Sequence, residues 1–144
     1  MRQLLAASGG RPARPRHRYF DPDDLSASTE DAIEQRAAHL LGDPEVTLDV
    51  KNEARVHLWY AERIGRVIPP YRSTEDAIST WPTTASSIGI RYDDGDFVVC
   101  APFGLADLFA MAVRPNKTII TRTVYEAKVV RWSEIWPKLS IIPW

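Results

Sequence analysis

The spacing of hydrophobic and polar positions predicts a chain in which helices alternate with strands. Apolar residues recur at helical spacing over residues 29–41, and residues 46–50 alternate apolar and polar side chains, as a half-buried strand does. Asn52 can then cap a second helix over residues 53–64, which Gly65 ends at the position where helices favour glycine. The pattern therefore predicts a helix, a strand and a second helix in succession.

The second half of the chain predicts a hairpin between helices. Two prolines predict a loop over residues 66–72, and a capped short helix follows at residue 73. Two β-branched segments over residues 88–92 and 97–101 are separated by an Asp-Gly turn, which is typical of a β-hairpin. An apolar run over residues 105–113 predicts a buried helix.

The expected core lies in the hairpin and in the helices that follow it. An amphipathic helix is predicted over residues 124–136, with Val129, Trp132 and Trp136 facing inward, and a last strand over residues 139–142. We expect the centre of the core to contain five large side chains, which are Phe97, Val99, Leu105, Leu108 and Phe109.

Charge divides the chain into two parts. The 144 residues carry a net charge of −1, but the first 20 contain five arginines and no acidic residue. We therefore predict a disordered basic leader over residues 1–17 and one folded domain over residues 18–144. One interpretation of the leader is an arm that binds nucleic acid or another anionic surface. The alternative is a segment without a function.

Several classes of protein are excluded by what the sequence lacks. No apolar run is long enough to span a bilayer or to act as a signal peptide, so we expect a cytoplasmic protein without a membrane partner. The single cysteine, Cys100, excludes an internal disulfide and a zinc site built on thiolates, and is interpreted as a buried small side chain. The chain has no glycine-rich phosphate loop and no nucleophile elbow.

Polar side chains cluster where the first predicted strand meets the second helix. Asp49 can bind a divalent cation, Lys51 can neutralise a phosphate, and Arg55 lies one turn into the helix. The alternative is a solvated strand end in which Asn52 caps the helix and Glu53 pairs with a nearby side chain, His57. Both interpretations remain open at this point. A site built on histidines is not expected, because no second histidine has metal-binding spacing.

Five separated motifs resemble, in order, a small bacterial nucleotidyltransferase-like family. These motifs are Tyr19–Pro22, Val50–Tyr60, Pro70–Ile78, Ala101–Phe109 and Val113–Asn116. The resemblance runs from about residue 19 to the last residue. It implies the polymerase-β-type nucleotidyltransferase fold, here a truncated mixed α/β (α+β) sheet with a β-hairpin packed by four to five helices.

The resemblance also implies a site for nucleotide and magnesium. Asp49 matches a catalytic, metal-binding acid, and Mg²⁺ would be the cofactor that bridges the triphosphate. The family's acid-x-acid pair precedes the Tyr-Phe-Asp-Pro motif, where residues 11–18 of this chain contain four arginines and no acid. The nucleotide-binding residues that we expect beside Asp49 are Lys51, Asn52, Arg55, Arg72 and Asp76.

Two functions follow from the sequence. One is transfer of a nucleotide from a nucleoside triphosphate to an unknown acceptor, by a truncated member of the family that has lost two of its three metal-binding acids. The other is a non-catalytic module that binds nucleotide or protein. Because the family's first strand is missing, we also expect an exposed sheet edge and self-association.

Overall fold

The computed structural model describes residues 15–43 and 45–144. The helices are α1 (Ala27–Leu41), α2 (Val56–Ile64), α3 (Thr74–Ile78), α4 (Ala106–Phe109) and α5 (Arg122–Ile135). The strands are β1 (Arg16–Tyr19), β2 (Asp49–Asn52), β3 (Gly89–Asp93), β4 (Asp96–Cys100), β5 (Ala112–Val113) and β6 (Ser140–Ile141). Within the described residues these strands form three two-stranded sheets, parallel for β1–β2 and β5–β6 and antiparallel for β3–β4. The α/β class is therefore confirmed.

Strand β1 lies partly inside the segment that the sequence assigned to a leader. Arg16 pairs with Asp49 and His17 with Val50, so the folded part begins before the predicted boundary at residue 18. The pattern missed this strand because its sequence, Arg-His-Arg-Tyr, has no apolar alternation. Its ordering comes instead from backbone pairing with β2 and from ion pairs of its arginines. Residues 1–14 of the predicted leader lie outside the described residues.

Side-chain caps set the ends of the helices that frame β2. Helix α1 begins two residues earlier than predicted, because the Ser26 hydroxyl accepts a hydrogen bond from Thr29 N at 3.3 Å. The predicted cap at Asn52 is present, and its Oδ1 accepts from Ala54 N at 3.1 Å. A 3₁₀ turn over Glu53–Arg55 then leads into α2, which ends at Gly65 with a left-handed φ of 77°.

Two apolar clusters make up the core. The first contains Val56, Tyr60 and Ile68, with Trp59 and Ile64 packed against it, so one face of α2 lies against the core. The second contains Val113, Ile120 and Tyr125, with partly buried residues of α5 and the last strand around it. Val129 and Trp132 belong to that shell as predicted, whereas Trp136 is 48% exposed because α5 ends at residue 135 and leaves it beyond the packed face.

The hairpin has the predicted turn but not the predicted burial. Asp94 and Gly95 both adopt positive φ, 46° and 94°, as a two-residue hairpin turn requires. The expected burial is wrong for four of the five side chains, whose exposed fractions are 74% for Phe97, 48% for Val99, 45% for Leu108 and 79% for Phe109. Strands β3 and β4 pack mainly against each other, which leaves Phe97 and Val99 exposed. Leu108 and Phe109 belong to α4, which packs against the 3₁₀ turn over Thr84–Ser86 and against β5 and leaves these two side chains towards solvent. Leu105 is partly buried.

The helix predicted over residues 105–113 is also shorter than expected. Helix α4 ends at Phe109, and Met111 adopts a φ of 53°, which a helix cannot continue. Ala112 and Val113 then form β5 and are buried. No helix in the described part of the chain is both long enough and apolar enough to cross a membrane.

Candidate functional site

A cavity of about 390 Å³ opens where β1 and β2 face α2 and α5. Its wall combines basic side chains with aromatic rings. Five basic residues line it, Arg16, Arg18, Lys51, Arg63 and Lys128, and the two carboxylic acids in the described lining are Asp49 and Glu53. The aromatic lining residues are Trp59, Tyr60, Tyr71, Trp81 and Trp132. The lining is therefore rich in positive charge.

Asp49 lies on the cavity side of β2, and arginines of β1 hold its carboxylate. Strand β2 alternates, so that Asp49 and Lys51 face the cavity while Val50 and Asn52 are buried on the other side. Asp49 Oδ2 lies 2.9 Å from a guanidinium nitrogen of Arg18 and 3.6 Å from Arg16 Nε. Burial alone would raise the pKa of Asp49, but the hydrogen bond and charge of Arg18, with Arg16 and Lys51, lower it below its usual value.

Arg18 bridges Asp49 to a second carboxylate. Its Nε lies 3.1 Å from Glu53 Oε1, while one terminal nitrogen, Nη1, donates to the carbonyls of His17 and Asp49. Burial raises the pKa of Glu53 to about 7, against the opposing charge of Arg18. The ion pair with Arg18 favours the charged form of Glu53, whereas burial favours the protonated form. Burial has the larger effect because the Glu53 side chain is only 6% exposed. Glu53 therefore pairs with Arg18 rather than with His57, whose Nδ1 is enclosed without a hydrogen-bond partner in the described part.

Lys51, Asn52 and Arg55 are held by Glu30 of α1, a residue that the sequence analysis did not single out. Glu30 is buried, and its Oε1 lies 3.1 Å from both Lys51 Nζ and a guanidinium nitrogen of Arg55. Its other oxygen accepts from Asn52 N at 2.8 Å. Arg55 also donates to the carbonyl of Leu25. Of these three predicted site residues, only Lys51 lines the cavity.

Asn52 joins β2 to the loop before α1. Its Nδ2 donates to the carbonyls of Asp21 and Asp24, and its Oδ1 accepts from Asp21 N at 3.0 Å. With 1% of its surface exposed, the side chain is fully used in these bonds and in the helix cap. Asn52 therefore lies where it supports the fold beneath the cavity.

Arg72 and Asp76 are not part of the cavity lining. The Arg72 side chain is 90% exposed and pairs with Asp76 at 3.8 Å. Asp76 also accepts from Arg72 N at 3.0 Å, which fixes the start of α3 beside the Ser73 cap. The structure thus brings Asp49 and Lys51 together and leaves Arg72 and Asp76 outside.

Two cation–aromatic pairs line the cavity and were missed from sequence. The Arg63 guanidinium lies 4.9 Å from the centre of the Trp59 ring on α2, and Lys128 Nζ lies 4.9 Å from that of Trp132 on α5. Each pair is separated by four residues, which places both members on one helical face, so the spacing was a usable signal. Burial, and then the charges of Arg131 and Arg16, lower the pKa of Lys128 to about 8.

Comparison with known protein families gives a match over most of the chain. A family model described as Nucleotidyltransferase matches residues 18–141. The chain belongs to this nucleotidyltransferase family. Its match begins at Arg18, the residue that bridges the two cavity carboxylates, and runs through β6.

The fold of this nucleotidyltransferase family member also has a solved counterpart. An NMR structure described as a CCA-adding enzyme head domain matches with a TM-score of 0.69 and 24% identity. The match covers 88% of this chain and 66% of the other, so this chain spans slightly less than two thirds of that protein's length. At this identity the likeness supports the fold alone. No curated protein matches the sequence.

The carboxylates of the cavity do not fit a two-magnesium centre. Magnesium in such centres is held by carboxylate oxygens, and the described lining offers only Asp49 and Glu53. Arg18 contacts both, and the pKa of Glu53 near 7 leaves that group partly protonated at neutral pH. Nowhere in residues 15–43 and 45–144 do three or more side chains of the metal-binding types come together.

Proposed function

We propose that this nucleotidyltransferase family member binds a nucleoside triphosphate in the cavity. The observation that supports the proposal is that one wall of the cavity presents both aromatic rings and cations without carboxylate partners. Neither Arg63 nor Lys128 forms an ion pair with any described acid. A nucleotide combines an aromatic base with a polyanion, so it complements both parts of the wall.

The charges of the cavity favour the phosphates. Burial is the main cause that lowers the pKa of Lys128, and the repulsion from the positive charges of Arg131 and Arg16 lowers it further. An anion among these groups would relieve that repulsion and restore the lysine's usual affinity for its proton. Phosphate contacts by Arg16 and Lys128 are therefore the expected anchors.

The base is expected to contact the tryptophans of the wall. Trp59 and Trp132 both line the cavity, each already beside a cation of its own helix. Stacking of a base on an aromatic side chain accepts every base because every base has a π-face. We therefore expect weak discrimination among ATP, GTP, CTP and UTP.

Calorimetric titration of the full chain with the four nucleoside triphosphates tests the proposal. We expect binding with a dissociation constant above about 1 µM. Each tenfold gain in affinity needs about 1.4 kcal/mol of binding free energy, and this site has no carboxylate-held metal to contribute it. Lys128→Ala should weaken binding about tenfold, the loss of one charge-assisted contact. The matched control is Lys117→Ala, because Lys117 also lies over a tryptophan, Trp144 at 5.1 Å, but outside the cavity lining.

No heat with any of the four nucleotides would refute the nucleotide-binding proposal. An equal loss in Lys128→Ala and Lys117→Ala would also count against it, because it would show a general charge effect rather than binding in the cavity.

Nucleotide transfer to an acceptor is the second candidate, and membership of the family favours it. Its expected residue is Asp49, which the resemblance matches to a catalytic acid. Incubation with labelled nucleoside triphosphates and Mg²⁺ or Mn²⁺ tests it, with Asp49→Asn as the variant. Because Arg18 and Arg16 hold that carboxylate, nucleotide binding without transfer is the competing outcome. Turnover that Asp49→Asn abolishes would establish the enzyme instead.

A further inference from the structure

The two carboxylates of the cavity share one guanidinium. Arg18 reaches Asp49 at 2.9 Å and Glu53 at 3.1 Å, and its side chain is only 13% exposed. Its remaining contacts, with the carbonyls of His17 and Asp49 at 2.9 and 2.7 Å, fix the guanidinium in the wall. A fixed positive group therefore stands between the acids that a divalent cation would need.

We infer that the site binds the metal-free form of the triphosphate, and that magnesium opposes this binding. The inference rests on the proposed function, because it specifies which ionic form of the nucleotide the cavity takes. It also reverses the behaviour that a carboxylate-held metal centre produces, in which the metal links protein to phosphates.

Magnesium is expected to weaken binding because of the charges on the cavity wall. Five basic and two acidic side chains line the cavity, so the wall is positive without any metal. Magnesium bound to the phosphates halves the charge of a tetra-anionic triphosphate and occupies oxygens that guanidinium and ammonium groups would contact. The protein offers no free carboxylate in return, since Arg18 and Arg16 contact Asp49 and Arg18 contacts Glu53.

Arg16 is the side chain that can respond to the ligand. It is 61% exposed, and its single ion pair, with Asp49, is long at 3.6 Å. Arg18, in contrast, is held by four contacts at 3.1 Å or less. We therefore assign phosphate contact to Arg16 and the neutralisation of the two acids to Arg18.

The test is calorimetric titration of the full chain with ATP and with inorganic tripolyphosphate, each in EDTA and in excess Mg²⁺. We expect both ligands to bind about tenfold more tightly in EDTA, the effect of roughly one charge-assisted contact. Arg16→Ala should remove most of that advantage. The control is Arg122→Ala, since Arg122 is similarly exposed, pairs with Glu126 and lies outside the cavity lining.

The outcomes separate the two proposals. Tighter binding of ATP in Mg²⁺ than in EDTA overturns the inference and leaves nucleotide binding intact. Binding of tripolyphosphate but not ATP in EDTA overturns nucleotide binding and leaves a metal-free anion site. Binding of neither ligand overturns both.

A second measurement follows Mn²⁺ by its paramagnetic resonance signal. The wild-type chain should leave Mn²⁺ free, whereas Arg18→Ala, if it folds, should bind the ion because Asp49 and Glu53 lose their shared cation. Stoichiometric Mn²⁺ binding by the wild type would overturn the inference even if Arg18→Ala cannot be purified.

Discussion

Replacing Glu30 with alanine should destabilise the fold, because the Glu30 carboxylate holds three groups at the start of α2. The Glu30 carboxylate accepts a hydrogen bond from Asn52 N at 2.8 Å and contacts Lys51 and Arg55, both at 3.1 Å. Burial alone would raise its pKa, but these three partners lower it below its usual value. The folded state therefore uses the charged form.

The magnitude follows from the groups that the substitution leaves behind. Glu30→Ala strands the Asn52 N–H, which is buried, and removes the carboxylate partner of Arg55, whose side chain is 15% exposed. Breaking a buried pair by removing one partner costs about 3 to 5 kcal/mol. We expect a loss in that range, whereas Glu30→Gln, which keeps an oxygen for Asn52, should lose about 1 to 3 kcal/mol.

Urea denaturation followed by tryptophan fluorescence measures the loss. The matched control is Asp31→Ala, because Asp31 is the next residue of α1 and is exposed. Its substitution should change the free energy of unfolding by less than about 0.5 kcal/mol. A loss below about 1 kcal/mol in Glu30→Ala would refute the argument, since it would mean that solvent replaces the three contacts.

Four further predictions concern the core, helix α4, pH and assembly. Tyr125→Phe should lower the free energy of unfolding by about 1 to 3 kcal/mol in the same denaturation assay. The Tyr125 hydroxyl lies 2.8 Å from Val113 O and 2.5 Å from Ile142 O, and the substitution removes this hydroxyl from both carbonyls. Leu108→Ala should cost less than about 1 kcal/mol rather than the 2 to 5 kcal/mol of a core leucine, since it is 45% exposed. Between pH 4.5 and 7 Glu53 keeps its proton in the folded state but releases it in the unfolded chain. The free energy of unfolding of the wild type should therefore fall with rising pH relative to that of Glu53→Gln, by at most about 1.4 kcal/mol per pH unit. Parallel pH profiles of the two proteins would contradict this. The exposed hairpin favours self-association, and sedimentation velocity that shows a single monomer boundary at every concentration would count against it.

Local signals in the sequence predicted the elements whose ends are set by one residue. Asn52 caps the 3₁₀ turn before α2 with its side chain, and Gly65 ends α2 in a left-handed conformation. Asp94 and Gly95 supply the two positive φ angles of the hairpin turn. Each effect acts over a few residues, so it can be read without knowing what packs above.

The features that the sequence did not predict depend on contacts between distant segments. Strand β1 has no apolar pattern that could predict it. It is ordered by an arginine paired with acids more than 30 residues away, which a local pattern does not show. Glu30 gave no signal because a helical glutamate is normally exposed, and only the fold places it beneath Asn52. Phe109 was misjudged in the opposite direction, since an apolar run does not show whether anything covers it.

The hairpin has a consequence for measurements of local motion. Strands β3 and β4 bond to each other and to no other described strand, so opening them disrupts only their own ladder. Their amide protons should exchange with deuterated solvent well before those around Tyr125. A short affinity peptide inserted between Asp94 and Gly95 would therefore sit on a locally opening unit, where the chain can be immobilised with little disturbance to the cavity.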